Sequence, residues 1–418
     1  MLSMSIILIV FFITLVIAIL SGLIFLIPSV PIKYIKIHLY LIVLPIIISV
    51  IGLLNVSDRE QIGPFTMDHL AWLMGSFILI LGFIIQKFSV RYLIGDRNYR
   101  KYFPLFTLIT SFASIAWLSG DLRLMVLFWG ATLLSLTLLI RVNRSWKIPY
   151  EAAKVSGKSF ALGWLSLLVA VILLYVATGN WHINVTLAND DVITSGMRFI
   201  IDMLIVLAVI VPAAQFPFQS WLIESVAAPT PVSAIMHAGI VNAGGIILTR
   251  FSPVFNDPLA ITILLIIASI SVLLGSGISL VHVDYKRQLV GSTMSQMGFM
   301  LVQCALGVYS AAIIHLILHG VFKATLFLQS GSVVKRFNIP IPPSAKRSYS
   351  WVVLGRCLAI IIAILFWLGS DRSAYEILSA LILAWSLMVS WNQMVAFSRG
   401  LIGRVIGLSL IHISEPTR

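Results

Sequence analysis

The sequence predicts an all-α polytopic membrane protein with about 13 transmembrane helices. Of its 418 residues, 60% are hydrophobic and only 10% are charged, and the mean hydropathy is +1.04. This composition excludes a water-soluble globular domain. Apolar runs of roughly 20 residues, the length that crosses a bilayer as a helix, recur along the chain, and the basic residues are distributed unevenly between them.

The apolar runs number thirteen and are joined by short connections. They lie near residues 5–27, 38–54, 69–86, 103–119, 122–140, 159–177, 198–213, 229–250, 258–281, 289–307, 309–333, 351–369 and 374–397. No connection is long enough for a separate soluble domain, so residues 1–407 are predicted to form a single transmembrane domain. Residues 408–418 are a polar tail that we interpret as a truncated or foreign end.

Lysine and arginine residues are concentrated in alternate connections. Counted from the first run, the odd connections hold 20 of the 28 basic residues and the even connections hold 5. The five are Arg59, Arg123, Arg198, Arg250 and Arg372. Because short cytoplasmic connections are enriched in Lys and Arg, this bias places the odd connections in the cytoplasm, the N-terminus outside and the C-terminal segment inside. The net charge of +13 is then explained without nucleic acid, and the predicted partner is the lipid bilayer of the cell membrane.

The eleventh run contains the segment HLILHGVFK, which places three titratable side chains inside a membrane span. His315, His319 and Lys323 follow one another at intervals of four residues, so they share one face of a helix and cover about 12 Å of its length. Histidine titrates near neutrality, and a desolvated lysine can exchange protons there too, so this face is a candidate proton relay. The alternative is that the three groups only form hydrogen bonds with neighbouring helices and fix their packing.

The segment from 213 to 239 predicts a discontinuous helix followed by a re-entrant connection. Pro217, Pro229 and Pro231 cannot continue a regular helix, and the backbone groups that they free need polar partners. The side chains predicted to provide them are Gln215, Ser220 and Glu224.

Further ionisable residues lie in or near the apolar runs. His237 lies about two turns into the eighth run, beside the predicted break, and is a candidate pathway residue or a packing residue. Glu224 is a second candidate, with the cytoplasmic surface as its alternative place. Asp68 and Asp202 lie near the ends of their runs and are predicted to be interfacial groups.

No cofactor site and no catalytic site is predicted in this chain. Cys304, Cys357 and the eight histidines lack the spacing of a zinc or haem site, and the glycines at 275–277 lack the context of a phosphate loop. No motif of a serine nucleophile stands out. The sequence therefore favours a transport subunit over an enzyme.

Three segments carry a resemblance to a known family. PFQSWLIESVAAPTPVSAIMHAG at 217–239, DYKRQLVGSTMSQMGFM at 284–300 and HLILHGVFKATLFLQSGSVV at 315–334 resemble the core of the antiporter-like, proton-translocating membrane subunits. That superfamily includes the subunit 5 type of respiratory complex I, an NADH-quinone oxidoreductase, and the large subunit of Mrp cation/proton antiporters. The resemblance covers about residues 65–335, and it implies a bundle with two inverted repeats, each containing a broken helix.

The sequence departs from the complex I pattern at charged positions. Trp129-Gly130 stands where those subunits have a Trp-Glu pair, and Pro212 precedes Gln215 where they carry a lysine. No lysine follows Lys346, so their terminal-channel lysine is unmatched as well. These departures argue against ordinary complex I pumping through a full charged axis.

The segments MHAGIVNAGG and GFMLVQCALG resemble most closely one branch of the superfamily, the DabB-type membrane subunits of two-component inorganic-carbon pumps. This resemblance implies a large peripheral partner of the DabA type, with a zinc site similar to that of carbonic anhydrase. The chain would conduct H+ or Na+ along His237, His315, His319 and Lys323, and the zinc would lie in the partner. Two alternatives stay open: a complex I-like or Mrp-like antiporter subunit, and a membrane scaffold that transports nothing.

Overall fold

The computed structural model of the chain describes residues 3–57, 59–143, 146–188, 192–330, 349–369 and 374–397. The predicted polar tail at 408–418 lies outside these residues. So do some of the basic residues counted in the connections, namely Arg144, Lys335, Arg336, Lys346, Arg347, Arg372, Arg399 and Arg404.

The predicted fold class is confirmed, because sixteen helices of the described residues form thirteen spans. They are α1 (Met4–Ile24), α2 (Ile35–Asn55), α3 (His69–Tyr92), α4 (Tyr99–Leu118), α5 (Leu122–Ile140), α6 (Lys147–Thr178), α7 (Ile183–Ala188), α8 (Ser195–Ile210), α9 (Ser220–Glu224), α10 (Thr230–Ala238), α11 (Ala243–Phe251), α12 (Pro258–Val281), α13 (Tyr285–Ala305), α14 (Tyr309–Ser330), α15 (Tyr349–Leu368) and α16 (Ala374–Phe397). The short helix α7 lies between spans, α8 and the short helix α9 are the two parts of the seventh span, and α10 and α11 together form the eighth span.

Nine spans of the described residues are long and apolar enough to cross a membrane on length and composition alone. The other four are α8, with 16 residues, the more polar α13, and α15 and α16, whose apolar stretches are shorter. Because α13 packs against both α12 and α14, its polar side chains are covered by neighbouring helices rather than by lipid.

The second, fourth and sixth connections meet at one end of the bundle. Phe65 of the second connection forms an isolated bridge with Ser119 of the fourth, and Asp121 of the fourth forms one with His182 of the sixth. The second connection also contains a small antiparallel hairpin, β1 (Glu60–Ile62) and β2 (Phe65–Met67). The sequence did not predict these strands, since three-residue strands leave no mark in a search for apolar runs.

The first, third and fifth connections meet at the other end, which we call the basic end. The Arg100 guanidinium of the third connection donates to the carbonyl oxygens of Ile27 and Val30 in the first, at 3.0 and 2.6 Å. The Asn98 amide donates to Asn143 of the fifth connection at 2.8 Å. The alternation that the charge bias predicted is therefore present in the contacts between connections.

Some predicted bounds differ from the observed helices. The sixth span begins at Lys147 rather than near 159, so Lys154 and Lys158 lie on α6, where their side chains are exposed. Likewise α3 continues to Tyr92. Basic residues can extend a helix past the apolar core because their long side chains reach the polar interface.

Candidate functional site

The candidate site is a line of buried polar side chains along α14. His315, His319 and Lys323 are 2%, 3% and 0% exposed. They recur every four residues, so all three lie on the same face of one helix. α14 packs against α10 and α13, which supply the neighbours of this line.

Two glutamines of α13 flank His315. The Nδ1 atom of His315 lies 3.2 Å from Oε1 of Gln303, and its Nε2 atom lies 2.9 Å from Oε1 of Gln296. A neutral imidazole has one N–H and one acceptor nitrogen, and a glutamine amide can present either its oxygen or its NH2 group, so both contacts can be hydrogen bonds in the neutral and in the protonated form. This arrangement suits a side chain that gains and loses a proton.

His319 lies one turn further along α14. Its ring centroid is 6.2 Å from that of His315. Neither ring nitrogen of His319 has a hydrogen-bond partner among the described residues. Buried polar atoms without partners are uncommon in proteins, so the two ring nitrogens of His319 call for an explanation.

Lys323 is the last residue of this line and lies on the side of the basic end. Its ammonium donates to the carbonyl oxygen of Leu289 at 2.9 Å and to the hydroxyl of Ser292. None of the ion pairs in the described part of the chain includes Lys323. Its hydrogen bonds therefore go to neutral oxygens of α13, with no carboxylate to hold it permanently charged.

His237 joins this line from the eighth span. It is 0% exposed on α10, and its ring stacks on Phe327 of α14 with centroids 4.3 Å apart and planes 16° from parallel. Neither of its nitrogens has a partner within the described residues. It lies within electrostatic range of Lys323 and His319. The structure thus brings His237, His315, His319 and Lys323 together.

Glu224, the fifth predicted pathway residue, does not lie in this buried line. It is the last residue of α9, and its side chain is exposed. This position agrees with the alternative that Glu224 lies at the surface of the protein.

A glycine allows α10 and α14 to approach closely. A Cβ atom at Gly320 would lie 2.6 Å from the carbonyl oxygen of Ala238 and 2.5 Å from the ring of Phe77. Only glycine fits such a contact with backbone. Gly320 stands between His319 and Lys323, so this contact positions the line against α10.

The seventh span is discontinuous, as the predicted fold class requires. α8 ends at Ile210, and Ala214 in the break has a positive φ of 53°. The Gln215 amide donates to the carbonyl oxygens of Ala213 and Met294, at 2.7 and 3.3 Å. Gln215 is therefore a partner for the freed backbone groups.

The other partners at the break differ from those predicted. The Phe216 N–H donates to the Ser271 hydroxyl at 2.9 Å, and the Trp221 indole donates to the Val211 carbonyl at 2.8 Å. Ser220 and Glu224 are exposed instead. Periodicity within one span could not identify Ser271, because it lies on α12.

The three prolines have different positions. Pro217 lies in the turn between α8 and α9. Pro229 is the N-cap residue of α10, and Pro231 lies in its first turn, where a proline needs no backbone N–H. Pro229 and Pro231 therefore begin the eighth span rather than break the seventh.

The missing carboxylate of the fifth span has a structural explanation. A Cβ atom at Gly130 would lie 2.4 Å from Nε1 of Trp164, and that indole donates to the carbonyl oxygen of Val126 at 2.9 Å. The indole of α6 occupies the space that a glutamate side chain would need.

An ion pair at the end opposite the basic end was missed by the sequence analysis. Asp68 caps α3 by accepting the Ala71 N–H at 2.7 Å, and Arg250 forms two hydrogen bonds with the same carboxylate. Partial burial opposes ionisation of this carboxyl group, but the charge and hydrogen bonds of Arg250 hold the pKa of Asp68 below its usual value. Arg250 is also buried in the last turn of α11, not in a connection as predicted.

A further buried histidine, His38, went unnoticed in the sequence analysis. His38 of α2 contacts the hydroxyl of Ser21 at 2.6 Å, and its other nitrogen lies 3.2 Å from both Gln86 and Thr107. These residues lie on α1, α3 and α4. The only sign of this site in the sequence was a histidine within an apolar run.

A bundle of thirteen spans with a broken seventh helix and a buried line of histidine and lysine defines an antiporter-like membrane subunit. The family described as NADH:quinone oxidoreductase/Mrp antiporter matches residues 119–407, and the family described as NADH-Ubiquinone oxidoreductase (complex I), chain 5 N-terminus matches residues 63–103. The chain belongs to this superfamily and, within it, to the DabB subunits. It is a multi-pass integral membrane protein.

Three similar proteins illustrate this placement. The chain is 58% identical to the "Probable inorganic carbon transporter subunit DabB" of Bacillus subtilis (strain 168), over 98% of this chain and 82% of that protein. It is 31% identical to the chloroplastic NAD(P)H-quinone oxidoreductase subunit 5 of Nymphaea alba, over 72% of this chain and 41% of that protein. The solved Mrp complex from Dietzia sp. DQ12-45-1b has the same fold, with a TM-score of 0.70 and 24% identity over 95% of this chain and 46% of that chain.

Proposed function

We propose that the chain is the ion-conducting membrane subunit of an energy-coupled inorganic-carbon uptake complex. The observation that carries this proposal is the buried line of His237, His315, His319 and Lys323, in which two histidines have no hydrogen-bond partner among the described residues. A purely structural role would leave the cost of burying those nitrogens unexplained. The 58% identity to a DabB subunit supplies the substrate class, CO2 or bicarbonate.

The conducted ion is a proton in this proposal, with Na+ as its alternative. The line consists of nitrogen bases, and imidazole and amine nitrogens bind protons, whereas hard cations such as Mg²⁺ and Ca²⁺ prefer oxygen ligands. A proton would pass between Lys323, His319 and His315 along α14, while His237 adjusts the charge beside them. Downhill flow would make CO2-to-bicarbonate conversion in the partner unidirectional.

The proposed partner is a DabA-type peripheral protein that contains zinc. Affinity purification of the full chain in mild detergent is expected to recover a large zinc-containing protein in a fixed ratio to it. The measurement is metal analysis together with mass spectrometry of the recovered proteins. Recovery of flavin or iron-sulfur subunits instead would move the chain to the second candidate function, a complex I-like assembly, which the 31% identity to a quinone oxidoreductase subunit favours.

The proposed location is the cell membrane, with the N-terminus outside and the basic end in the cytoplasm. Ser29 lies in the first connection and Ser57 in the second, and both are exposed. In a Cys357→Ser background, Ser29→Cys is expected to react with an impermeant thiol reagent only in inverted vesicles, and Ser57→Cys only in intact cells. The background is needed because Cys357 is an exposed free cysteine. Reaction of both variants from one side would contradict this topology.

A further inference from the structure

Asp202 is a buried carboxylate on the first half of the broken seventh span. It lies in the second turn of α8 and is 0% exposed, although the sequence analysis placed it at the interface. Its Oδ2 atom accepts the backbone N–H groups of Asn256 and Asp257, at 3.2 and 2.9 Å. Its Oδ1 atom is buried with no hydrogen-bond partner among the described residues.

The two oxygens of this carboxylate therefore have different environments. Two backbone amides stabilise charge on Oδ2, whereas nothing in the described structure satisfies Oδ1. A buried carboxylate oxygen without a donor is costly, and a bound proton removes that cost by neutralising the group. Oδ1 is thus the atom at which a proton would bind.

Asp202 lies near the start of the helix that carries the pathway. Tyr309, the first residue of α14, is within electrostatic range of Asp202. His315 follows Tyr309 by six residues, which is about 9 Å along a helix axis. Asn256, whose N–H contacts Asp202, is exposed at the end of the bundle opposite the basic end. Asp202 is therefore near the end of the bundle opposite the basic end and near the first residue of α14.

Within the part of the chain that the structure describes, few charged groups act on Asp202. Asp257 at the start of α12 and Arg198 in the first turn of α8 are its charged neighbours. α6 and α11 also pack against α8. The charged residues of α6 lie in its first twelve residues, towards the basic end, and the one charged residue of α11, Arg250, is bound to Asp68. The negative charge of Asp257 opposes the positive charge of Arg198. These two neighbours therefore do not prevent Asp202 from binding a proton.

We propose that Asp202 is the proton-binding carboxylate at the end of the pathway opposite the basic end. Its Oδ1 atom takes a proton from the water on that side and passes it towards His315, returning to the carboxylate form. This inference rests on the proposed ion-conducting function. The proposal also gives the pathway a carboxylate, which the fifth span does not provide because it has glycine at position 130.

The competing interpretation is that Asp202 only stabilises the turn before α12. Asp202→Asn separates the two, because asparagine keeps an oxygen that can accept the N–H groups of Asn256 and Asp257 but cannot take up a proton. The matched control is Asp121→Asn. Asp121 is also buried at this end and caps α5, but its carboxylate is paired with Arg123 at 2.7 Å.

The experiment measures proton flux in vesicles that contain the full chain with the partner with which it is produced. A pH step is imposed across the membrane, and an enclosed pH-sensitive dye reports the flux. Asp202→Asn is expected to reduce the flux about 100-fold, the scale of a positioned proton-transfer group, while Asp121→Asn stays within about twofold of the wild type. Wild-type flux in Asp202→Asn overturns the role of Asp202 and leaves the proposed function intact. Absence of flux in the wild type overturns the proposed function itself.

A second measurement on the wild-type protein does not depend on how the variant folds. A hydrophobic carbodiimide reacts with protonated carboxyl groups in apolar surroundings, and mass spectrometry locates the adduct. We expect an adduct on Asp202 that increases as the pH falls from about 8 to about 5. Asp121 should stay unmodified, because the hydrogen bonds and charge of Arg123 outweigh its partial burial and lower its pKa. No adduct on Asp202 in this range, or equal adducts on both residues, overturns the proposal.

Discussion

Replacing Lys323 with methionine is expected to abolish ion-coupled inorganic-carbon uptake while protein abundance stays near normal. Methionine keeps the length and apolar stem of lysine but removes the ammonium. Lys323 is fully buried, and its hydrogen bonds within the described residues go to neutral oxygens, those of Leu289 and Ser292. If it holds or repels a proton in the relay, conduction fails without it. If it only packs, removing a buried charge should be neutral or stabilising, and uptake should persist.

Growth provides the simplest measurement of this prediction. Cells that depend on the transporter should fail to grow in ambient air when they carry Lys323→Met, and added CO2 should restore their growth. His319→Gln tests the same relay, because glutamine keeps hydrogen-bonding capacity but does not titrate near neutral pH. Lys158→Met, on the exposed face of α6, is the control and should grow in air. Growth of both pathway variants in air at normal protein levels would exclude the relay.

The spans and the α14 line could be predicted because both depend on local spacing. A span is about 20 consecutive residues, and residues four apart on a helix share a face whatever surrounds them. The sequence alone therefore places three side chains on one face of a helix, those of His315, His319 and Lys323. The alternating charge of the connections added a constraint that extends over the whole chain, and the predicted count of about 13 agrees with the helices that the structure describes.

Contacts between distant residues could not be predicted in this way. His237 and Phe327 are 90 residues apart, and their stacking depends on how closely Gly320 lets α14 approach α10. Asp68 and Arg250 are 182 residues apart in sequence. Each pair is a result of helix packing, which the sequence of a single chain does not reveal.

Asp202 shows how position near the end of an apolar run can mislead. A charged residue there is usually interfacial, since the bilayer core is costly for it. The turn before α12 covers Asp202 instead and supplies the N–H groups of Asn256 and Asp257. Those donors are backbone groups, so no residue type in the sequence marks them.

Gly320→Ala is expected to disrupt the pathway by adding a single methyl group where α14 contacts α10. The added Cβ would lie 2.6 Å from the Ala238 carbonyl oxygen and 2.5 Å from the Phe77 ring, so α14 must move away from α10. Overpacking of this kind costs about 1–3 kcal/mol of stability, and the movement separates His237 from Lys323. We expect ion-coupled uptake to fall at least about tenfold and the midpoint of thermal unfolding in detergent to decrease.

The matched control for this variant is Gly277→Ala on α12. A Cβ atom at Gly277 has open space, and alanine is the better helix former by about 1 kcal/mol. This variant should keep uptake and thermal stability near those of the wild type. Because both substitutions add the same methyl group to a membrane helix, a difference between them isolates the contact of Gly320 with α10. Equal uptake in the two variants would mean that the close approach of α10 and α14 does not position the pathway, and His237 would then have to act without close contact to α14.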